Sequence, residues 1–276
     1  MKIGIFDSGY GGLTILNEIR KLLPEYDYLY LGDNARAPYG PHSYEVIYRY
    51  TLESVAALLK RDCALVILAC NTASAKALRT IQQNDLPRFG AERRVLGVIR
   101  PTVECVPYLS RTHHVGLLAT PGTVNSGSYT MELHNIDPDL RLTAIACPMW
   151  VPLVEYGEHN SAGADYFIKK RIDQLMSTDP QIDTIILGCT HYPLLIPKIR
   201  RYVPDGVRVV SQGHYVASSL VDYLHRHEDM RARLSTGGTC RFLTTESADK
   251  FSRSARVFMP GTFVEAEQVE LSAVDR

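Results

Sequence analysis

The feature that most constrains this chain is a rhythm. Apolar runs of strand length alternate with longer segments of helical spacing: residues 3–6 then 14–23, 28–31 then 43–60, and 64–69 then 74–83. Alternation of that kind builds βαβ units, and therefore a mostly parallel sheet with helices on its faces. It then restarts. Strand-like 95–99 and 115–119 are followed by an amphipathic stretch at 164–176, an apolar run at 184–187, a short helix at 196–202 and a strand at 207–210. The spacing predicts an α/β protein with two parallel-sheet units. The break is expected near Ile99-Arg100-Pro101, where proline disfavours continued regular structure. The tail adds a helix at 216–225 and a strand at 241–244, and the division expected is 1–98 with 212–276 against 99–211.

An internal repeat supports two related halves. The stretch from Gly4 to Gly9 aligns with the stretch from Gly116 to Gly122, setting Asp7 113 positions before Thr120. More telling, Leu65-Val66-Ile67-Leu68-Ala69-Cys70-Asn71-Thr72 matches Thr184-Ile185-Ile186-Leu187-Gly188-Cys189-Thr190-His191, with the two cysteines 119 positions apart. A duplicated half with small insertions gives such offsets.

Composition narrows the function. Thirty basic residues balance thirty acidic ones among 276, so no global field draws the molecule to nucleic acid or to anionic lipid. The amino terminus lacks the apolar core of a signal peptide, and the longest apolar run, Ala64 to Cys70, is far short of the ~20 residues of a membrane helix. A cytosolic protein with no membrane partner is expected. The six cysteines are scattered, with no Cys-x-x-Cys pair and no disulfide-scaffold clustering, and the histidines carry no metal spacing. Gly9-x-Gly11-Gly12 lacks the third glycine of the dinucleotide fingerprint and no phosphate-loop motif is present, so no nucleotide cofactor is expected.

Cys70 and Cys189 are the residues that can do chemistry. In open parallel sheets ligands bind where strand ends lead into helix amino termini. A thiol placed there feels the helix macrodipole and unpaired N–H groups, which favour its thiolate. Each cysteine alone reads equally well as a small core residue, but the repeat favours a paired role. If the halves are related by a pseudo-two-fold axis, the two thiols face each other across the cleft between them, as inversion at a carbon centre requires. A cysteine hydrolase needs only one thiol with a histidine base, and a non-catalytic binder needs neither.

Neighbouring strand-end groups suit a carboxylate ligand: Ser8, Asn71, Thr72, Thr120, Thr123 and Thr190. Asp7 either caps a helix or receives an ammonium group or orients a thiol. His191 and Glu155 are candidates to tune Cys189.

Asp7-Ser8-Gly9-Tyr10-Gly11-Gly12, Pro38-Tyr39-Gly40, Cys70-Asn71-Thr72, Val151-Pro152-Leu153-Val154-Glu155 and Gly188-Cys189-Thr190-His191-Tyr192-Pro193 resemble, in order and over nearly the whole chain, the motif set of the glutamate racemases in the cofactor-independent aspartate/glutamate racemase superfamily. The resemblance implies two Rossmann-like (flavodoxin-like) domains with the active site in the cleft between them, commonly in a homodimer. It implies interconversion of L- and D-glutamate for peptidoglycan synthesis, with neither pyridoxal phosphate nor metal. Carried over by motif, Cys70 and Cys189 are the two acid/bases, with Cys70 expected to deprotonate D-glutamate. Asp7, Glu155 and His191 assist them. Asp7, Ser8, Tyr39, Gly40, Asn71, Thr72, Thr190 and His191 bind substrate, and Thr120 and Thr123 meet a carboxylate. A racemase for aspartate or another amino acid is the nearest alternative, and a cysteine amidohydrolase the next. Two stretches depart from the family pattern: Ile99-Arg100-Pro101-Thr102, where Ile-Glu-Pro-Gly is common, and Ser211-Gln212-Gly213, where Asp-Ser-Gly or Ser-Ser-Gly is common.

Overall fold

A computed structural model describes residues 1–262 and 264–274. The chain first runs through β1 (Lys2–Asp7), α1 (Gly12–Leu22), β2 (Tyr28–Gly32), α2 (Tyr44–Lys60), β3 (Cys63–Leu68), α3 (Asn71–Lys76), α4 (Leu78–Thr80) and β4 (Arg94–Gly97). It continues through α5 (Ile99–Glu104), α6 (Val106–Leu109), β5 (His114–Ala119), α7 (Pro121–Asn125), α8 (Ser128–Ile136), β6 (Arg141–Ala146), α9 (Trp150–Glu155), α10 (Ala162–Thr178), β7 (Thr184–Gly188), α11 (Ile196–Tyr202) and β8 (Arg208–Val210). The last leg is α12 (Gly213–Arg226), α13 (Glu228–Arg233), β9 (Cys240–Thr244), α14 (Ala248–Phe258) and β10 (Ala266–Gln268).

Two compact units result, one comprising Met1–Val98 with the segment from Gly213 onward, the other Ile99–Gln212. The first is built on a six-stranded parallel sheet in the order β10-β9-β2-β1-β3-β4. Its central strand β3, Cys-Ala-Leu-Val-Ile-Leu, is buried throughout, as a strand covered on both faces must be. Phe6, Leu31, Val66 and Leu68 form a core with Ile47, Val55 and Leu58 of α2. The tail strands lengthen this sheet beyond β2, and α12 packs on α1.

The second unit has a four-stranded parallel sheet in the order β6-β5-β7-β8. This repeats the order β2-β1-β3-β4, the doubly wound arrangement of flavodoxin-like folds. The registers repeat as well. Gly4 pairs with Val66 and Phe6 with Leu68, while Gly116 pairs with Ile185 and Leu118 with Leu187. Cys70 and Cys189 thus stand at equivalent places, each two residues beyond the leucine paired with the first strand of its sheet. The same register corrects the first alignment by one position: Ala119, not Thr120, occupies the place of Asp7, and Thr120 that of Ser8.

Three local expectations shift. The helix expected at 74–83 begins at Asn71 and breaks at Ala77, because the Cys70 side chain caps it from in front. Pro101 does not interrupt regular structure but sits in the first turn of α5, where its missing N–H costs nothing. Strands β6 and β10 had no strong apolar rhythm to announce them and lie mostly at least partly exposed, whereas α14 carries Phe251, Ala255 and Phe258 at helical spacing and was legible but not read. Among the described residues no helix is long and apolar enough to cross a membrane.

Candidate active site

In the first unit the strand ends of β1, β2 and β3 carry the polar groups. Asp7 ends β1, 1% exposed, and its carboxylate accepts the Gly9 N–H at 2.9 Å. Gly12 is what lets α1 start so close. A Cβ there would stand 2.6 Å from the Asp7 Cβ, so only glycine fits without movement. Ser8 follows, and the Cys70 thiol meets its hydroxyl oxygen at 3.4 Å. Cys70 is the N-cap of α3, with the Ala73 N–H donating to its sulfur at 3.5 Å. That amide and the helix dipole behind it favour negative charge on the sulfur. Asn71 and Thr72 form the first turn of α3 and are both buried.

Tyr39 belongs to a network that the sequence did not announce. Its phenol donates to Asp33, just past β2, and burial, reinforced by the Asp33 charge, pushes the phenol well above its ordinary pKa. The Asp33 carboxylate also accepts from Arg36 at 2.7 Å and from the Thr245 hydroxyl at 2.9 Å, while Arg36 reaches Glu53. Asp33 and Thr245 both follow strand ends, the signal that singled out Asp7 and was not applied to β2 or β9. Gly40 follows Tyr39 in the half-buried turn before α2.

The second unit holds its cysteine differently. Cys189 does not cap an α-helix. It lies on a turn leading through a 3-10 segment, Tyr192–Leu195, to α11. Pro197 in the first turn of α11 explains this, because a proline further inside a helix would clash with the carbonyl four residues earlier. In place of a helix terminus, Cys189 has a histidine. His191 Nδ1 stands 3.9 Å from its sulfur, and His191 Nε2 stands 3.0 Å from Glu155 Oε1 at the end of α9. Burial opposes charge on this imidazole, yet its hydrogen bonds to Cys189 and Glu155, and their negative charges, outweigh that and hold its pKa at about 10. The turn is fixed from below: the Tyr192 hydroxyl donates to the Cys147 carbonyl at 3.2 Å, and its ring packs edge-on against Trp150 of α9 at 4.8 Å between centroids.

Thr120 caps α7 through the Thr123 N–H at 3.3 Å, and the two hydroxyls lie 3.1 Å apart at the end of β5. Thr190 is buried on the Cys189 turn. The structure therefore gathers Asp7, Ser8, Cys70, Asn71 and Thr72 at strand ends of one sheet, and Cys189, Thr190, His191 and Glu155 in the other unit, with Thr120 and Thr123 at the neighbouring strand end. Burial pushes the thiol of Cys63 up to about 12 and those of Cys105 and Cys240 each to about 11, and raises that of Cys147 as well. Among the described residues no cluster of histidine, cysteine and carboxylate groups has the makings of a metal site.

Two flavodoxin-like units, each with a thiol just past the end of a central strand, define an α/β protein of the doubly wound class. The chain belongs to the Asp/Glu/hydantoin racemase family, whose model matches residues 13–219. It is 40% identical over 257 residues to the glutamate racemase of Shouchella clausii, covering 92% of this chain and 88% of that one. Its fold matches glutamate racemase isoform RacE1 from Bacillus anthracis with a TM-score of 0.88 at 32% identity, over 98% of this chain and 97% of the other. The glutamate racemase of Francisella tularensis, solved in complex with D-glutamate, matches with a TM-score of 0.86 at 30% identity, over 98% and 97% of the two chains.

Proposed function

We propose that this chain interconverts L- and D-glutamate by a 1,1-proton transfer in which Cys70 and Cys189 are the acid/base pair. Glutamate racemase activity follows from the near full-length likeness to glutamate racemases, which makes the chain an isomerase. The cysteine assignment is carried by one observation, the equivalent register of the two thiols beyond β3 and β7. One sulfur, as thiolate, takes the α-proton and becomes a thiol. The other, as thiol, gives its proton to the opposite face of the carbanion and becomes the thiolate. The direction of turnover decides which sulfur starts.

The two holds suit that exchange. Ser8 and the α3 N-terminus receive charge at Cys70, and the His191–Glu155 pair receives it at Cys189. Asp7 assists on the Cys70 side. Ser8, Tyr39, Gly40, Asn71, Thr72, Thr190 and His191 hold substrate, with Thr120 and Thr123 at a carboxylate. The chemistry asks for no cofactor. The product supplies peptidoglycan synthesis in the cytoplasm, and the working form is a homodimer.

The test is incubation of enantiopure L-glutamate in D2O with no added cofactor. D-Glutamate carrying deuterium at the α-carbon is expected while recovered L-glutamate stays protiated. Inversion without deuterium overturns the mechanism, and equal turnover of aspartate overturns the substrate assignment. A hydrolase would release a cleaved product and survive Cys189→Ser.

A further inference from the structure

The chain passes between the units twice, from Val98 to Ile99 and from Gln212 to Gly213. Side chains close to the two passages meet. The Gln212 amide donates one hydrogen to Thr102 Oγ1 and the other to Tyr129 Oη, each at 2.9 Å. Thr102 lies in α5, the helix that opens the second unit, and Tyr129 lies in α8 packed against it. All three are at most 2% exposed. A buried polar junction of this kind is specific, because either partner left without the other keeps a desolvated group.

The junction also reaches the chemistry. Burial first, then the charge at Cys189, raises the Tyr129 phenol, so the ring bonded to Gln212 lies within the field of that sulfur. We infer that Gln212 is a positioning residue, a lock that ties the two inter-unit chain passages to each other and to α8 and so restrains them while substrate binds. This rests on the proposed function in one respect: the substrate whose binding is read is the glutamate of that reading. A loosened passage leaves fewer molecules competent to bind, which raises KM, whereas a molecule that has bound still carries intact thiols and their partners.

The experiment compares the full chain with Gln212→Ser, Thr102→Val and the double variant. Hydrogen exchange is followed at residues 99–104 and 213–216, and kinetics at fixed pH. Faster exchange at both segments is expected in either single variant, with KM for glutamate raised several-fold and kcat little changed. The double variant should differ little from Gln212→Ser, because the Gln212–Thr102 bond is already lost in that single variant. Unchanged exchange and KM overturn the inference even where the melting temperature falls, since a merely structural role would do that. Additive effects of the two substitutions also overturn it. Exchange and additivity are read without reference to proton transfer, so failure here is distinct from failure of the D2O test.

Discussion

One imidazole stands between an acid and a thiol: His191 faces Glu155 Oε1 through Nε2 at 3.0 Å and Cys189 Sγ through Nδ1 at 3.9 Å. Cys70 has no such base on its own strand-end turn and is met by a hydroxyl and a backbone amide. The duplicated halves thus hold chemically like residues by unlike means, and the pH behaviour of the protein should carry the mark of the histidine.

His191 is raised in the folded chain to about 10 from an ordinary 6.5, so the folded state binds a proton more tightly than the unfolded one. The resulting stabilisation is complete below pH 6.5 and is lost as pH rises through about 10. Glu155→Gln removes one of the two supports of that charge. Melting temperatures taken across this window should therefore begin to fall near pH 6.5 in both proteins, with the fall smaller and complete at lower pH in the variant. Superimposable curves would refute the assignment of the charge to this pair.

Each cysteine should be separable from the other. Cys70→Ala and Cys189→Ala are each expected to lower racemisation by about 10²–10⁴-fold, the usual worth of a positioned acid or base. Each retained thiol can still take the α-proton of the enantiomer it faces and return solvent deuterium to the same side. With Cys70 serving D-glutamate, Cys189→Ala should exchange D-glutamate without inversion, and Cys70→Ala should do the same for L-glutamate. NMR of the α-position together with chiral chromatography reads both. Exchange of both enantiomers by one single-cysteine variant would contradict the scheme.

The existence of β1, β3, β5 and β7 was legible because these inner strands are mostly apolar and almost wholly buried, so period and burial agree. Edge strands β6 and β10 were not, since a half-exposed strand has little apolar pattern to show. The Cys70 helix start was visible in kind but misplaced by three residues, because a thiol is not among the common capping side chains. At Cys189 the parallel with Cys70 misled: the cue against a helix was Pro197, eight positions on. The Tyr39–Asp33–Thr245 network joins positions over 200 residues apart, and no local period can announce such a contact.

Gly12 should tolerate no side chain. An alanine Cβ would stand 2.6 Å from the Asp7 Cβ and 3.1 Å from that of Ala69, so α1 or the end of β1 must move. Overpacking of this kind costs about 1–3 kcal/mol. Gly12→Ala is expected to lower the melting temperature and, by displacing Asp7 and the Ser8 that meets Cys70, to lower kcat as well. A variant with parent-like melting and parent-like rate would show that the strand end yields freely.

Tyr192 links the Cys189 turn to its foundation. Its hydroxyl donates to the Cys147 carbonyl, which also accepts the Trp150 N–H at 3.2 Å and so keeps a partner when the phenol is gone. Tyr192→Phe therefore forfeits an ordinary hydrogen bond, about 0.5–1.5 kcal/mol, and leaves no orphaned acceptor. Its ring still packs on Trp150. The fold should survive with a small drop in melting temperature. The turn bearing Cys189 and His191 loses one of its ties, however, and small misplacements of reacting groups are costly, so kcat should fall by about tenfold. Trp150→Ala removes the ring contact along with a large buried side chain and should cost about 3–5 kcal/mol. Calorimetry with initial-rate kinetics on both variants distinguishes the two effects: full activity in Tyr192→Phe would mean that the ring contact alone sets the turn.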